Sequence, residues 1–194
     1  MIPEPAIDPR TGALYMVWQD SRFSGFDEIA ISTSTNGGDT WSTPKRVNTP
    51  NGEPAFTASV AVTDSGTSGM PGSVGVTYYQ LSNTSQGSAP TTYFIKAVAG
   101  SAFASTSIDS SVAATTIAGP FNMLDAPFAG GYFTGDYEAL ETIGTGASAT
   151  FVPVFVQGTC GTSLDCRALT SVTPPANRTP TDNNSTDVYV GMGF

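Results

Sequence analysis

The chain has 194 residues, with 16 acidic side chains against 7 basic ones, no histidine and a formal net charge of −9. It is long enough for one domain with its own core, and its acidity argues against a nucleic-acid partner or an anionic membrane surface. Without histidine, Ser-His-Asp and Cys-His catalysis and any His-ligated zinc site are excluded. Chemistry here must rest on carboxylates, tyrosines, lysines, arginines or hydroxyls.

In chain order, the N-terminal MIPEPAIDPR has no apolar stretch of the signal-peptide kind. Short runs rich in Val, Ile, Thr, Tyr and Phe then recur between Gly, Pro, Asn and Asp clusters, the pattern of an all-β protein. The runs predict strands at 13–19, 28–34, 41–48, 57–63, 73–80, 91–98, 106–117, 137–143, 149–157 and 186–192. Segment 119–136, GPFNMLDAPFAGGYFTGD, reads as a long apolar loop, and 172–187, VTPPANRTPTDNNSTD, as an exposed one. Pro153 falls inside a predicted strand and calls for a bulge or an edge position, because proline donates no ladder hydrogen bond. No apolar run approaches the ~20 residues of a membrane span.

Cys160 and Cys166 are the only cysteines. Two thiolates leave a tetrahedral zinc half-liganded, so a short-loop disulfide in an oxidising compartment is the better reading. Abundant Ser, Thr, Gly and Asn with few lysines also fits a secreted β-protein. A removed signal, or a piece of a longer secreted chain, accounts for the N-terminus. No metal or cofactor is called for: the acidic run from Asp182 to Asp187 is a conceivable calcium loop, but an exposed loop is the plainer reading. The sequons at Asn83, Asn177, Asn183 and Asn184 matter only in a glycosylating host.

A repeat emerges when the strands are overlaid. PEPAIDPRTGALYMVWQDSR is a strand, a tight turn, a more apolar strand and a polar loop; FTASVAVTDSGTSGMPGSVGVTYYQLSN and GDYEALETIGTGASATFVPVFVQGTC repeat the order. The three units, 1–53, 54–118 and 119–194, have the size of propeller blades.

Ser34-Thr35-Asn36-Gly37-Gly38-Asp39-Thr40-Trp41 resembles the Asp-box, S-x-D-x-G-x-T-W, of sialidase-like (BNR-repeat) β-propellers, with Asn36 in the Asp position. ALYMVWQDSR, TWSTPKRVN, VGVTYY and FTGDYEAL likewise resemble the last blades of secreted bacterial members. The resemblance implies about three four-stranded blades, half of a six-bladed ring, the last lacking its outer strand. It also implies that the ring is completed by self-association or by the remainder of a larger chain. The motif residues Ser34, Asn36, Gly38, Thr40 and Trp41 then form a structural turn between third and fourth strands, with Trp41 packed between sheets, on the face opposite the active site.

On the other face, WQDSRFSGFD, YYQLSNTSQGSAP, VQGTCGTSLDC and the lead-in GYFTGDYEALE converge. Glycoside cleavage needs a proton donor and a nucleophile or base, and the family uses a tyrosine nucleophile assisted by a carboxylate, with an aspartate as acid/base. Asp136, Tyr137, Glu138 and Asp20 are therefore the candidate catalytic residues, and Arg22, Tyr78, Tyr79 and Arg167 the candidate substrate-binding ones. Each has a plainer reading: Asp20 and Arg22 as an ion pair stabilising a loop, one of Tyr78 and Tyr79 as core, and Gly135-Asp136-Tyr137 as the start of a strand. The family's three-arginine clamp for a sugar carboxylate is not complete, since Arg10 and Arg46 fall on the lower or outer side and Arg178 in the tail loop. Gln80-Leu81-Ser82 follow the tyrosine pair where secreted relatives often read Asp-x-Arg. A glycan-acting exo-glycosidase is the leading expectation, and a non-catalytic carbohydrate- or protein-binding propeller the alternative.

Overall fold

The computed structural model describes residues 2–49, 53–82, 89–99, 108–109, 111–127, 131–160 and 184–194. The described residues form three antiparallel sheets, each a meander in which chain order and spatial order agree. Sheet 1 runs β1 (Glu4–Ile7), β2 (Leu14–Asp20), β3 (Glu28–Ser34) and β4 (Lys45–Arg46). Sheet 2 runs β5 (Ala55–Val62), β6 (Val74–Leu81), β7 (Pro90–Val98) and β8 (Thr115–Asn122). Sheet 3 has β9 (Ala139–Ile143), β10 (Thr150–Cys160) and β11 (Asn184–Val190), with β10 in the middle. None of the three closes on itself.

Sheet 2 is sandwiched between the others, and β5 packs against β1 and β2 on one side and β9 on the other. Alternation along the strands explains how. Tyr15, Val17, Ile29 and Ile31 of sheet 1 meet Val60, Val74, Val76 and Tyr78 of sheet 2 in the main core. The opposite face of sheet 2 offers Ala61 and Ile95 to Leu140 and Phe151, and Tyr79 and Tyr93 to Phe155. Gly75 makes the second contact possible: a Cβ there would lie 2.7 Å from the Phe151 ring. Tyr78 and Tyr79 are thus both fully buried, one on each face of β6. The expectation that one of the pair is core held for both, because β6 is covered on both of its faces.

The turns at one end of the sheets also touch in series. Asp8 shapes the β1–β2 turn by accepting from the backbone of Arg10 and Thr11, and its other oxygen accepts from Gly72 N–H of the β5–β6 turn. The Arg10 guanidinium holds Asp64 through two nitrogens, at 2.5 and 2.7 Å. The Asp64 carbonyl in turn accepts from Gly146 N–H of the β9–β10 turn at 2.8 Å.

Several element boundaries differ from expectation. The strand expected over 41–48 narrows to Lys45–Arg46, because Pro44 cannot donate; Ser42 continues the contact with β3 through its N–H to Thr33 O and its hydroxyl. The strand expected over 106–117 is Thr115–Asn122, running through the Gly119-Pro120 pair that signals a loop. Gly119 takes a φ of 102° there and the register with β7 shifts, so a glycine-bearing irregularity carries the strand past the proline. Sheet 2 therefore ends four residues beyond the expected boundary at 118. Pro153 sits in the central strand, paired with Leu140 of β9 on one side, while on the other its carbonyl accepts from Gly191 N, just past the end of β11. Phe151 pairs with Phe194, so two steps of β10 face three of its partner there; the proline stands beside an irregularity at the end of the ladder, where its missing N–H costs one ladder bond. β11 begins at Asn184, so Asn184 to Asp187 belong to a strand and not to a loop.

Candidate functional site

The register of sheet 1 fixes which features share an end. Leu14 pairs with Ser34 and Asp20 with Glu28, so the Asp-box-like turn and Asp20 lie at opposite ends of β2 and β3, about 20 Å apart. In that turn Ser34 Oγ accepts from Gly38 N at 3.0 Å and donates to Asn36 Oδ1 at 2.9 Å. Asn36 Oδ1 also accepts from Thr40 N at 3.0 Å, and its Nδ2 donates to Thr40 Oγ1 at 2.9 Å. Asparagine thus fills the aspartate's place with an acceptor and adds a donor. Trp41 does not pack between sheets: it is 41% exposed and lies over Gly38, the one expectation for this turn that the structure corrects.

At the other end is a cavity of about 200 Å³. Glu4 and Gln19 line it from sheet 1 and Phe56, Thr57 and Ala58 from β5. Met123 and the stretch Tyr132 to Tyr137 line it from the segment leading into β9. Two acidic residues, Glu4 and Asp136, line it together with the aromatic residues Phe56, Tyr132, Phe133 and Tyr137. Burial pushes the Glu4 carboxyl up from its ordinary value. Tyr137 is 65% exposed, a ring at the rim and not in the core.

The wall from β5 is built with local strain. Pairing with β6 shifts between Phe56 and Ser59, and Thr57 there has a φ of 48°, the left-handed region that a β-branched residue rarely adopts. Gln19 holds it, its Oε1 accepting from Thr57 N at 3.3 Å. A bulge of this kind re-aims side chains, and here it turns 56–58 toward the space between sheets 1 and 2 and the lead-in to β9.

Of the sequence candidates, Asp136 and Tyr137 line this cavity. Glu138 sits one residue further on but is buried between sheets 2 and 3. Its Oε1 lies 2.7 Å from Tyr79 Oη, which also contacts Val156 O at 2.5 Å and accepts from Val156 N at 2.9 Å. The phenol has one proton and two oxygens within reach, so both contacts are hydrogen bonds only when Glu138 carries a proton of its own. Desolvation agrees: it pushes the Glu138 carboxyl up to about 7, against opposing effects of the Tyr79 and Val156 hydrogen bonds. Tyr79 is in turn raised by desolvation and by the neighbouring Glu138, and Tyr78 by desolvation. Tyr78 and Tyr79 face the cores on the two sides of sheet 2 and do not line the cavity.

Asp20 is 8% exposed and fully engaged within its own loop. It accepts from Arg22 N at 2.9 Å, Arg22 Nε at 2.7 Å and Trp18 Nε1 at 2.7 Å. Desolvation raises its pKa, but those hydrogen bonds outweigh it and the net direction is downward. The Arg22 guanidinium also lies 5.9 Å from the Trp18 ring. The loop-stabilising reading of the Asp20–Arg22 pair therefore describes what these side chains touch. Arg10 bonds Asp64 at the far end and Arg46 bonds buried Glu28 on sheet 1. Arg167 and Cys166, and with them the Cys160–Cys166 disulfide, lie outside the described residues, as do Arg178 and the sequons at Asn83, Asn177 and Asn183. Among the described residues no group of three or more His, Cys, Asp or Glu side chains is placed to hold a metal.

Glu4, Gln19, Phe56, Thr57, Met123, Tyr132 and Phe133 were not among the named candidates. Gln19 had a signal in its place beside Asp20 in the first polar loop, and Tyr132 and Phe133 in theirs within the lead-in GYFTGDYEALE. The chain is, at this level, an all-β protein of three side-by-side meander sheets with one aromatic, carboxylate-bearing cavity among its described residues. No protein-family model matches the sequence, and no curated protein matches it.

Proposed function

We propose that this chain is a secreted, glycan-acting protein of sialidase-like β-propeller build, its three sheets being consecutive blades and its cavity the seat of a sugar unit. The observation that carries this is the cavity itself: it brings aromatic rings and two carboxylates together from separate sheets, at the end opposite the Asp-box-like turn. Aromatic faces take the apolar side of a sugar ring, and carboxylates accept from its hydroxyls. A volume of about 200 Å³ is below the ~300 Å³ where drug-sized sites begin, which suits one ring and an exo mode of action. In the hydrolytic form Asp136 is the acid/base and Tyr137 the group at the reacting carbon. Serial contact of the turns through Arg10, Asp64 and Gly146 supports the radial arrangement.

One observation favours a second reading, a carbohydrate-binding propeller without turnover. Glu138, Tyr79 and Asp20, three of the groups expected at the reacting sugar, are spent on internal hydrogen bonds and do not line the cavity. A panel of aryl glycosides that includes a sialoside separates the two. Under the hydrolase reading, Asp136→Asn lowers kcat/KM about 100-fold or more, the usual weight of a general acid or base. Glycan-array binding without turnover selects the binding module. Turnover that Asp136→Asn leaves unchanged removes Asp136 from catalysis.

A further inference from the structure

The cavity's polar lining has one sign of charge. Glu4 comes from β1 and Asp136 from the segment before β9, and no lysine or arginine is among the described residues around them. Arg22, the arginine of the first polar loop, is committed to Asp20 by a 2.7 Å contact and to the Trp18 face. Gln19 has its oxygen on Thr57 N. The cavity's charged groups are therefore carboxylates alone, which accept and, once ionised, have no proton to donate; its other polar groups, among them the Thr57, Thr134 and Tyr137 hydroxyls, are neutral.

A sugar carboxylate brings negative charge to such a site, so like charge meets like. A hydroxyl supplies a donor. An ammonium group supplies three donors and the opposite charge.

We propose that the cavity selects by charge, taking an amino or neutral sugar and rejecting uronic and sialic acids. This rests on the glycan reading above and narrows it to a ligand class. The selectivity comes from Glu4 and Asp136 acting together, while the rings of Phe56, Phe133 and Tyr137 stack on any pyranose without regard to its charge.

The test uses the full chain, labelled with nitrogen-15, and NMR titration with three methyl glycosides of one ring configuration: the 2-amino sugar, the parent neutral sugar and the uronate. It is run in both the gluco and the galacto series, near neutral pH and low salt. The expected order is amine, then neutral, then uronate. One charge pair about 4 Å apart in water is worth roughly fivefold, so two carboxylates predict a gap of about tenfold or more between amine and uronate. Raising the salt to about 1 M narrows the gap. Asp136→Asn alone, and with Glu4→Gln, narrows it further; circular dichroism checks that both variants keep the fold.

A uronate that binds as well as the amine overturns the charge selection and leaves the glycan reading standing. The expected order persisting undiminished in the double variant overturns the assignment to these carboxylates. No shift with any of the six sugars at tens of millimolar removes the glycan reading and this inference together.

Discussion

At the Asp-box end, Ser34, Asn36, Gly38 and Thr40 satisfy one another within a few residues of chain, at a partly exposed turn. At the cavity end the partners are far apart in sequence. Gln19 reaches Thr57 across 38 residues, Tyr79 reaches Glu138 across 59, and Ser59 accepts from Leu140 N across 81. The same end of the sheets has two comparable side-chain links outside the Asp-box-like turn: Arg10 to Asp64 at the surface, and buried Asp8 accepting from Gly72 N across 64 residues. Water can replace a partner lost at an exposed turn. It cannot do so between sheets 2 and 3, where an unpaired polar group retains its full desolvation cost. The Asp-box-like turn and the cavity end therefore differ in kind: one specifies local geometry, and the other ties sheets together and shapes the cavity.

The sharpest way to break that comparison is Tyr79→Phe. The substitution keeps the ring, which stacks with Phe56 and lies tilted against Tyr93, and removes only the hydroxyl. The Glu138 carboxyl and the N–H and C=O of Val156 then lose the phenol between them. Destabilisation of about 2–4 kcal/mol is expected in urea titration, from more than one buried group left unpaired. A change below about 0.5 kcal/mol would mean that the hydroxyl does not join the sheets.

The same pair predicts a pH dependence whose sign differs from that of ordinary salt-bridged carboxylates. Burial pushes the Glu138 carboxyl up to about 7 in the folded protein, from an ordinary 4.5. Between those values the folded protein holds a proton that the unfolded chain has released, so this group's contribution is complete below about pH 4.5. It declines as pH rises and levels off above about 7. Depressed carboxylates such as Asp20 and Asp64 titrate the opposite way at lower pH, so the difference between the wild type and Glu138→Gln isolates the effect. That difference should move against the wild type by roughly 2–3 kcal/mol over the window. A flat difference would show that Glu138 is ionised in the fold throughout.

How much of this was legible follows the same division. The strands around Val17, Ile29 and Val76 were readable because local alternation and turn residues specify them. The Asp-box-like turn was readable because all its partners lie within four residues of one another. That the lead-in to β9 lies at the end opposite the Asp-box-like turn was also readable, and Asp136 and Tyr137 line the cavity there. Whether a given side chain faces the cavity was not. Tyr79 and Glu138 looked open because strand alternation gives each a side but does not say that sheet 2 is covered on both. Thr57 was invisible, since nothing local to a threonine announces a left-handed φ; Gln19, 38 residues away, holds its N–H. Glu4 was missed because four residues make a short strand whose pairing with Val17 depends on the turn at Asp8.

The smallest expected effect, and the one that tests the local character of the turn end, belongs to Asn36. Asn36→Ala removes the acceptor for Thr40 N and Ser34 Oγ and the donor to Thr40 Oγ1. These groups are within reach of solvent, so the loss should resemble that of a helix or turn cap, about 1 kcal/mol. Asn36→Asp should cost less than half of that, because a carboxylate keeps both acceptor roles and the Thr40 hydroxyl can turn to donate to it. Neither variant should alter the order in which the cavity ranks amine, neutral sugar and uronate, since about 20 Å of sheet separates the two ends. Thermal unfolding of the pair, with the sugar titration repeated on each, measures both halves. A ranking that changed with Asn36 while the fold stayed intact would mean that the two ends are mechanically coupled through β2 and β3, and that the turn does more than fold the chain back on itself.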